Sequence, residues 1–198
     1  MSHRCQWAEK SPQLLRYHDL EWGVPVRDER QLFENLALEV FQAGLNWQVI
    51  LRYRPALKAA FAQFDAERIA HFTVPQIKAL YTDPTIIRNR AKIDAVIENA
   101  RVLTGLHDLG WQLSETLWQQ VNQTPLDHQL REGDVLQPGW FVADLVQTLK
   151  QLGFKRIGPK TCYALLQASG MVNDHLQSCF RHDEVAGVRP DTGFEVVP

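Results

Sequence analysis

Gly153-Phe154-Lys155-Arg156-Ile157-Gly158-Pro159-Lys160-Thr161 joins two amphipathic segments, and its reading decides the fold. Before it, Phe141, Leu145, Val146 and Leu149 recur at helical spacing; after it, Pro159 to Ser169 reads as a second helix, ended by Gly170. The predicted unit is a helix-hairpin-helix over about 141-169. Glycines let the turn's backbone approach a ligand closely, and Pro159 at the first helical position leaves the amides of Lys160 and Thr161 unpaired and pointing outward. Such amides, with the helix dipole behind them, hold a phosphate. Lys155, Arg156 and Lys160 add positive charge at the same point, the sequence-independent half of DNA binding. An ordinary helical hairpin with a solvated basic turn has the same local pattern.

Helical spacing continues on both sides. Leu32, Phe33, Leu36, Ala37, Val40 and Phe41 give a buried stripe on a helix from about Glu29 to Ala43, stopped by Gly44. Pro55 reads as the first residue of a helix ending near Phe64, Asp65 as the cap of a short one, and Thr73 with Gln76 as a capping box. The longest helix is expected from near Asp83-Pro84, on Ile86, Ile87, Arg90, Ile93, Val96, Ile97, Ala100 and Leu103. Leu113 to Val121 is a shorter amphipathic segment, Asn122 to Gly139 a long loop or weak helix, and the chain beyond Cys179 extended or disordered. No strand candidate competes, so the expected fold class is all-α, with roughly eight or more helices.

The 198 residues, 45% of them hydrophobic, suffice for one domain or for one domain built from two helical lobes. Residues 1-182 are expected to form it, and 183-198 an acidic tail. Met1 to Cys5 carries no signal-peptide run, and no stretch approaches the roughly 20 apolar residues of a membrane span. A soluble, cytoplasmic monomer with no membrane partner is the expectation, and three cysteines, an odd count, argue against a disulfide framework. A net charge of -2 conceals purely basic runs: Arg52, Arg54 and Lys58 between Val40 and Phe64, and Lys150, Lys155, Arg156 and Lys160 between Leu149 and Tyr163. No nucleophile elbow, Walker loop or dinucleotide glycine pattern supports phosphoryl or hydride transfer.

Glu39 has apolar neighbours on nearly every side, and a carboxylate there needs a partner or a ligand. It either pairs with a cation at a helix edge or, in a pocket, accepts hydrogen bonds from an exocyclic amine and a ring N–H. Trp7, Tyr17 and Trp22 before it, with Trp47 and Tyr53 after it, are core aromatics or the walls of a slot for an unstacked base. Gly44-Leu45 puts an apolar tip between two helices, a shape suited to wedging into a base stack. Cys5, His18, His175 and Cys179 form two pairs with ligand-like spacing, the second expected on one helical face at i, i+4. Together they suit a closed, structural tetrahedral zinc that clips the termini; singly they read as a frayed thiol, a surface histidine and a core histidine. Cys162 reads as a small core hydrophobe.

Trp7, Tyr17-His18-Asp19, Glu21-Trp22-Gly23-Val24-Pro25, Gln42-Ala43-Gly44-Leu45 with Trp47, Ile86-Ile87-Arg88, Lys92-Ile93, Asn99-Ala100-Arg101, Gly153-Phe154-Lys155 and Val172-Asn173-Asp174-His175 with Cys179 resemble the DNA-3-methyladenine glycosylase I family. The match runs from about Arg4 to Cys179 and is weakest between Asp108 and Val142. The resemblance implies a helix-hairpin-helix DNA glycosylase fold in two lobes, with Zn2+ on Cys5, His18, His175 and Cys179. It implies excision of 3-methyladenine from alkylated double-stranded DNA, without a Schiff base, leaving an abasic site and free 3-methyladenine. Glu39, Tyr17 and Trp47 would recognise and hold the base, with Trp7 as a further wall. Gly44 and Leu45 would fill the gap in the duplex, while Gly153, Lys155, Gly158, Lys160 and Thr161 grip the phosphates. Asn173 stands where related glycosylases place a catalytic aspartate, and Asp174 is a possible helper. Leu14, Val40-Phe41 and Asn46 depart from the family pattern and would narrow or reshape the pocket. A module that binds alkylated DNA without cleaving it, and a metal hydrolase using the Cys and His set, are the competing classes.

Overall fold

The computed structural model describes residues 3–135 and 140–186. A 3-10 turn at Gln6–Lys10 leads into α1 (Pro12–Leu20), α2 (Glu29–Gln42), α3 (Trp47–Ala60), α4 (Ala66–Ala70), α5 (Val74–Thr82) and α6 (Arg90–His107). Then come α7 (Leu113–Gln119), β1 (Leu126–Asp127), α8 (Trp140–Gln151), α9 (Pro159–Ala168), β2 (Val172–Asn173) and α10 (Phe180–Ala186). Side-chain caps explain many of the starts: Ser11, Asp28, Asn46, Asp65 and Asn89 each accept a bond from an amide of the first turn that has no partner within its helix. The expected capping box is present at Thr73 and Gln76.

Helix α2 is the hub. Its stripe of Leu32, Phe33, Leu36, Val40 and Phe41 is fully buried, and it packs against α3, α6, α7 and α9. The hairpin pair α8 and α9 packs side by side, and its turn is pinned from below by buried Phe154 and Ile157. Asn99 on α6 clamps that turn in register, its Oδ1 accepting from the Lys155 amide at 2.6 Å and its Nδ2 donating to the Lys155 carbonyl at 3.2 Å. Gly153 enters the turn at φ +104, a conformation that side-chain-bearing residues rarely adopt.

Five expectations need correction. Helix α3 begins at Trp47, with Pro55 inside it: the Asn46 cap starts the helix earlier, and packing of Ile50 and Leu57 carries it across the missing proline N–H. Helix α6 begins only at Arg90, because Asp83 folds a local turn onto Thr85 and Asn89 supplies the cap. A short parallel ladder pairs Leu126 with Val172 and Asp127 with Asn173, where no strand was expected. His175 and Cys179 sit in a turn that follows β2 instead of on a helix, and helix α10 covers Phe180–Ala186, where extended chain was expected. The rest of the acidic tail, 187–198, and residues 136–139 of the expected loop lie outside the described residues. No helix among those described is long and apolar enough to cross a membrane.

Gly170, at φ +68, permits the closest approach of any glycine among the described residues. A β-carbon there would stand 2.3 Å from the Pro25 nitrogen and the Val24 carbonyl carbon. The segment after α1 thus lies flat against the end of α9, held by the Val26 amide on the Ser169 carbonyl at 3.0 Å. That contact sets α1 and its aromatics beside the hairpin helix.

Candidate functional site

Between α1, α2, the start of α3 and the middle of α9 lies a cavity of about 280 Å³. Trp7, Tyr17, Trp22 and Trp47 form its walls, with Glu39 and Gln42 from α2 and Ala164 and Gln167 from α9. Sequence reasoning had set Glu39 beside Trp7, Tyr17 and Trp47, and the fold brings all four together. Tyr17 and Trp47 meet at 5.3 Å between ring centroids, inclined by 48°, and Trp7 stands edge-on to Trp22 at 5.0 Å.

Glu39 is 4% exposed, and among the described residues no cation or hydrogen-bond donor engages its carboxyl group. Burial pushes its pKa up to about 8. Tyr17 is likewise held well above its ordinary value, first by burial and then by the nearby Glu39 carboxylate. The indole nitrogen of Trp47 is buried with no acceptor. An apolar slot with an unpartnered carboxyl and an unpartnered N–H is built to take its missing polar partners from a ligand.

Gln42 was quoted in the family motif without a role, and Ala164 and Gln167 were not singled out from sequence. Gln167 is fixed by Asp174, whose Oδ2 accepts from Gln167 Nε2 at 2.7 Å and from the Tyr163 hydroxyl at 2.8 Å, while Oδ1 meets His128 Nδ1 at 2.6 Å. Asp174 therefore reaches the cavity only through Gln167. Asn173 is buried and spent locally, donating to the His182 carbonyl at 3.0 Å and accepting from the His175 amide at 3.3 Å. None of the three departures from the family pattern is among the residues that line the cavity. Val40 and Phe41 face the core, Leu14 is buried away from the lining, and Asn46 caps α3 through the Val49 amide at 2.9 Å.

Leu45 rides on the turn between α2 and α3, its carbonyl held by Gln42 Nε2 at 2.9 Å. Lys92, buried on α6, places its ammonium 2.6 Å from both the Phe41 and Ala43 carbonyls, which closes the end of α2 just before Gly44. At the hairpin, Lys155, Arg156 and Lys160 are exposed and Thr161 is half-buried at the start of α9. Ala164 of the cavity lies one turn further along the same helix, about 6 Å from Lys160. A phosphate at the start of α9 and a base in the cavity are therefore one nucleotide's reach apart.

Cys5, His18, His175 and Cys179 are all buried, with ligand atoms within 4.8 Å of one another. Cys179 Sγ lies 3.4 Å from His18 Nε2 and 3.7 Å from His175 Nδ1, and Cys5 Sγ lies 3.8 Å from His175 Nδ1. A tetrahedral site with ordinary zinc bonds has S···N edges of about 3.5 Å, so the cluster could hold a metal ion. The outward ring nitrogens are occupied as metal-bound histidines require, His18 Nδ1 by Asp19 at 2.8 Å and His175 Nε2 by the Trp22 carbonyl at 3.1 Å.

A basic helical hairpin whose second helix runs, one turn on, into an aromatic slot with a buried acid places the fold in the helix-hairpin-helix class. Comparison with known proteins agrees. The methyladenine glycosylase family profile matches residues 7–182, and the chain belongs to that family. It is 37% identical to a DNA-3-methyladenine glycosylase of Haemophilus influenzae over 180 residues, 90% of this chain and 97% of that one. Among solved structures, the fold matches a 3-methyladenine DNA glycosylase I with a TM-score of 0.87 at 39% identity, over 91% of this chain and all of that one. The 3-methyladenine DNA glycosylase I of Staphylococcus aureus, solved to explain 3-methyladenine recognition, matches at 0.84 and 36%, over 89% of this chain and 94% of that one.

Proposed function

We propose that this protein is a monofunctional DNA-3-methyladenine glycosylase. It extrudes the alkylated nucleotide from the duplex and hydrolyses the bond between N9 of the base and C1′ of deoxyribose, releasing 3-methyladenine and leaving an abasic site. The observation that carries this reading is Glu39: an unpartnered carboxyl in an aromatic slot, one turn from a phosphate-binding helix start.

Methylation at N3 makes the base cationic, so it leaves C1′ with the bonding electrons as a neutral molecule and needs no strong acid. Water then supplies the hydroxyl at C1′ and gives up a proton. The protein's share is to extrude the nucleotide, hold the base and admit water. A cation entering the slot stabilises the Glu39 carboxylate and displaces its proton. That carboxylate accepts from the base's exocyclic amine, and Tyr17 and Trp47 hold the ring with Trp7 behind them. Leu45 fills the vacated space in the stack while Gly44 lets the turn approach the duplex. Gly153, Lys155, Gly158, Lys160 and Thr161 take the phosphates. Residues 1–182 act as one domain of two lobes around the slot, and the protein works as a cytoplasmic monomer.

Cys5, His18, His175 and Cys179 would hold one structural Zn2+, which supplies fold stability and no open coordination position. Four protein donors fill a tetrahedral site, which argues against a metal hydrolase.

The test is release of free 3-methyladenine from methylated duplex DNA by the wild type and by Glu39→Gln. Release by the wild type, with a loss of about a hundredfold in the variant, is expected. Tight binding of the DNA by the wild type without release would establish a binding module instead.

A further inference from the structure

Helix α3 has a second face. Trp47 on its first turn points into the base cavity, whereas Val49, Arg52 and Tyr53 fall roughly 140–240° round the helix from it. Those three, with Leu45, line one side of a separate groove of about 600 Å³, and the segment through Ile86, Ile87 and Arg88 lines the other. Leu45 lines this groove from the turn between Gln42 and Trp47, which both line the base cavity.

The groove's charge is one-sided. Arg52 and Arg88 are exposed, and neither forms an ion pair among the described residues; Arg52 lies against its neighbour Tyr53, 5.5 Å from the ring centroid. The other two cations of the same helix are spent, Arg54 on Glu21 and Glu34, and Lys58 on Glu34. No acidic residue lines this groove, whereas Asp94 and Glu98 line the neighbouring one beside the hairpin. A groove with two free guanidinium groups at its rim and no acidic residue among its lining suits a sugar-phosphate backbone.

We infer that this groove seats the complementary strand, opposite the extruded nucleotide, with Arg52 and Arg88 on its phosphates. The inference rests on the proposed glycosylase reading. If Leu45 occupies the gap left in one strand, the other strand passes on the far side of Leu45 from the base cavity, where the groove lies. The hairpin then grips the damaged strand and α3 its partner, and the enzyme senses a duplex through two separate contacts.

The experiment measures binding of a fluorescent duplex carrying one stable abasic-site analogue, and of the same analogue strand alone, from low to moderate KCl. Wild type, Arg52→Gln, Arg88→Gln and the double variant are compared, with free 3-methyladenine binding read from tryptophan fluorescence. Each phosphate contact contributes about 0.9 to the salt slope on duplex DNA, so the double variant should lose about two. Its affinity for duplex at low salt should fall tenfold or more, with single-strand and free-base binding unchanged. An equal loss on the single strand would overturn the assignment, as would no loss on the duplex. If the wild type fails to release 3-methyladenine yet the duplex-specific loss appears, the groove stands and the proposed activity falls.

Discussion

Replacing Glu39 with glutamine should stabilise the folded protein, by an amount that grows from about pH 4.5 to about pH 8. Burial lifts the Glu39 pKa from an ordinary 4.5 to about 8 in the empty slot. Between those values the folded protein holds a proton that the unfolded chain has released. Stability therefore falls as pH rises through that window, and the contribution is flat below 4.5 and above 8. At about 1.4 kcal/mol per pH step the full penalty is about 5 kcal/mol, and water entering the open cavity reduces it toward about 2 kcal/mol. Glutamine keeps the shape and carries no charge. Urea unfolding of both proteins from pH 4.5 to 9 should show the variant close to wild type at the acid end and about 2–5 kcal/mol more stable at the alkaline end. The variant should at the same time lose base release, because a residue that destabilises the empty fold is retained for its ligand. Parallel stability profiles across the whole range would refute the argument, since Glu39 would then have a partner or free solvent in the folded state.

Removal of metal by a strong chelator, or Cys179→Ser, should lower the melting temperature by ten degrees or more and weaken 3-methyladenine binding, with elemental analysis giving one zinc per chain before treatment and none after; unchanged stability would exclude a structural metal. Lys92→Met leaves the Phe41 and Ala43 carbonyls without their donor and should cost about 2–4 kcal/mol in urea unfolding, with duplex binding falling more than free-base binding because the turn carrying Leu45 loosens. Gly170→Ala drives a β-carbon into the backbone of Val24 and Pro25 and should abolish soluble, folded protein, as read by circular dichroism, whereas Gly105→Ala, with open space around it, should fold.

Much of this was readable because its causes are local. The hairpin announces itself through Gly153, Gly158 and Pro159, and the stripe on α2 through its spacing, so both were placed within a residue or two. Glu39 stood out as the one charge inside an apolar run. What was not readable depends on distant chain coming together. Gln167 looks like any polar residue on α9 until Asp174, delivered by the turn after β2, takes its amide. The basic run Arg52, Arg54 and Lys58 looks uniform in sequence, yet Glu21 and Glu34 take two of the three and leave Arg52 free. The spacing of His175 and Cys179 suggested a helix because i, i+4 fits one. A turn held by the Gln177 amide on Leu130 and the Cys179 amide on Leu176 delivers the same two ligands.

The Cys and His cluster and the aromatic cavity share a wall, so a metal held by the one would bear on a base held in the other. His18 follows Tyr17 on α1, so the proposed base-packing residue and a proposed ligand move together. Trp7 lies edge-on to His18 at 5.3 Å, and Trp22 lies edge-on to His175 at 4.6 Å while its carbonyl accepts from that ring. Two of the slot's four aromatic walls therefore rest on imidazoles whose tilt a bound metal would set. An aromatic sandwich holds a base only if its rings stay a fixed distance apart, and neither Trp7 nor Trp22 is fully buried, so the core alone does not fix them. A metal held by Cys5, His18, His175 and Cys179 would supply that rigidity from behind, leaving the slot free of any cation that would compete with a positively charged base for Glu39. A metal within reach of Glu39 would neutralise the carboxylate that the base is meant to find, which is reason enough for the two sites to touch through rings and not through a shared ligand.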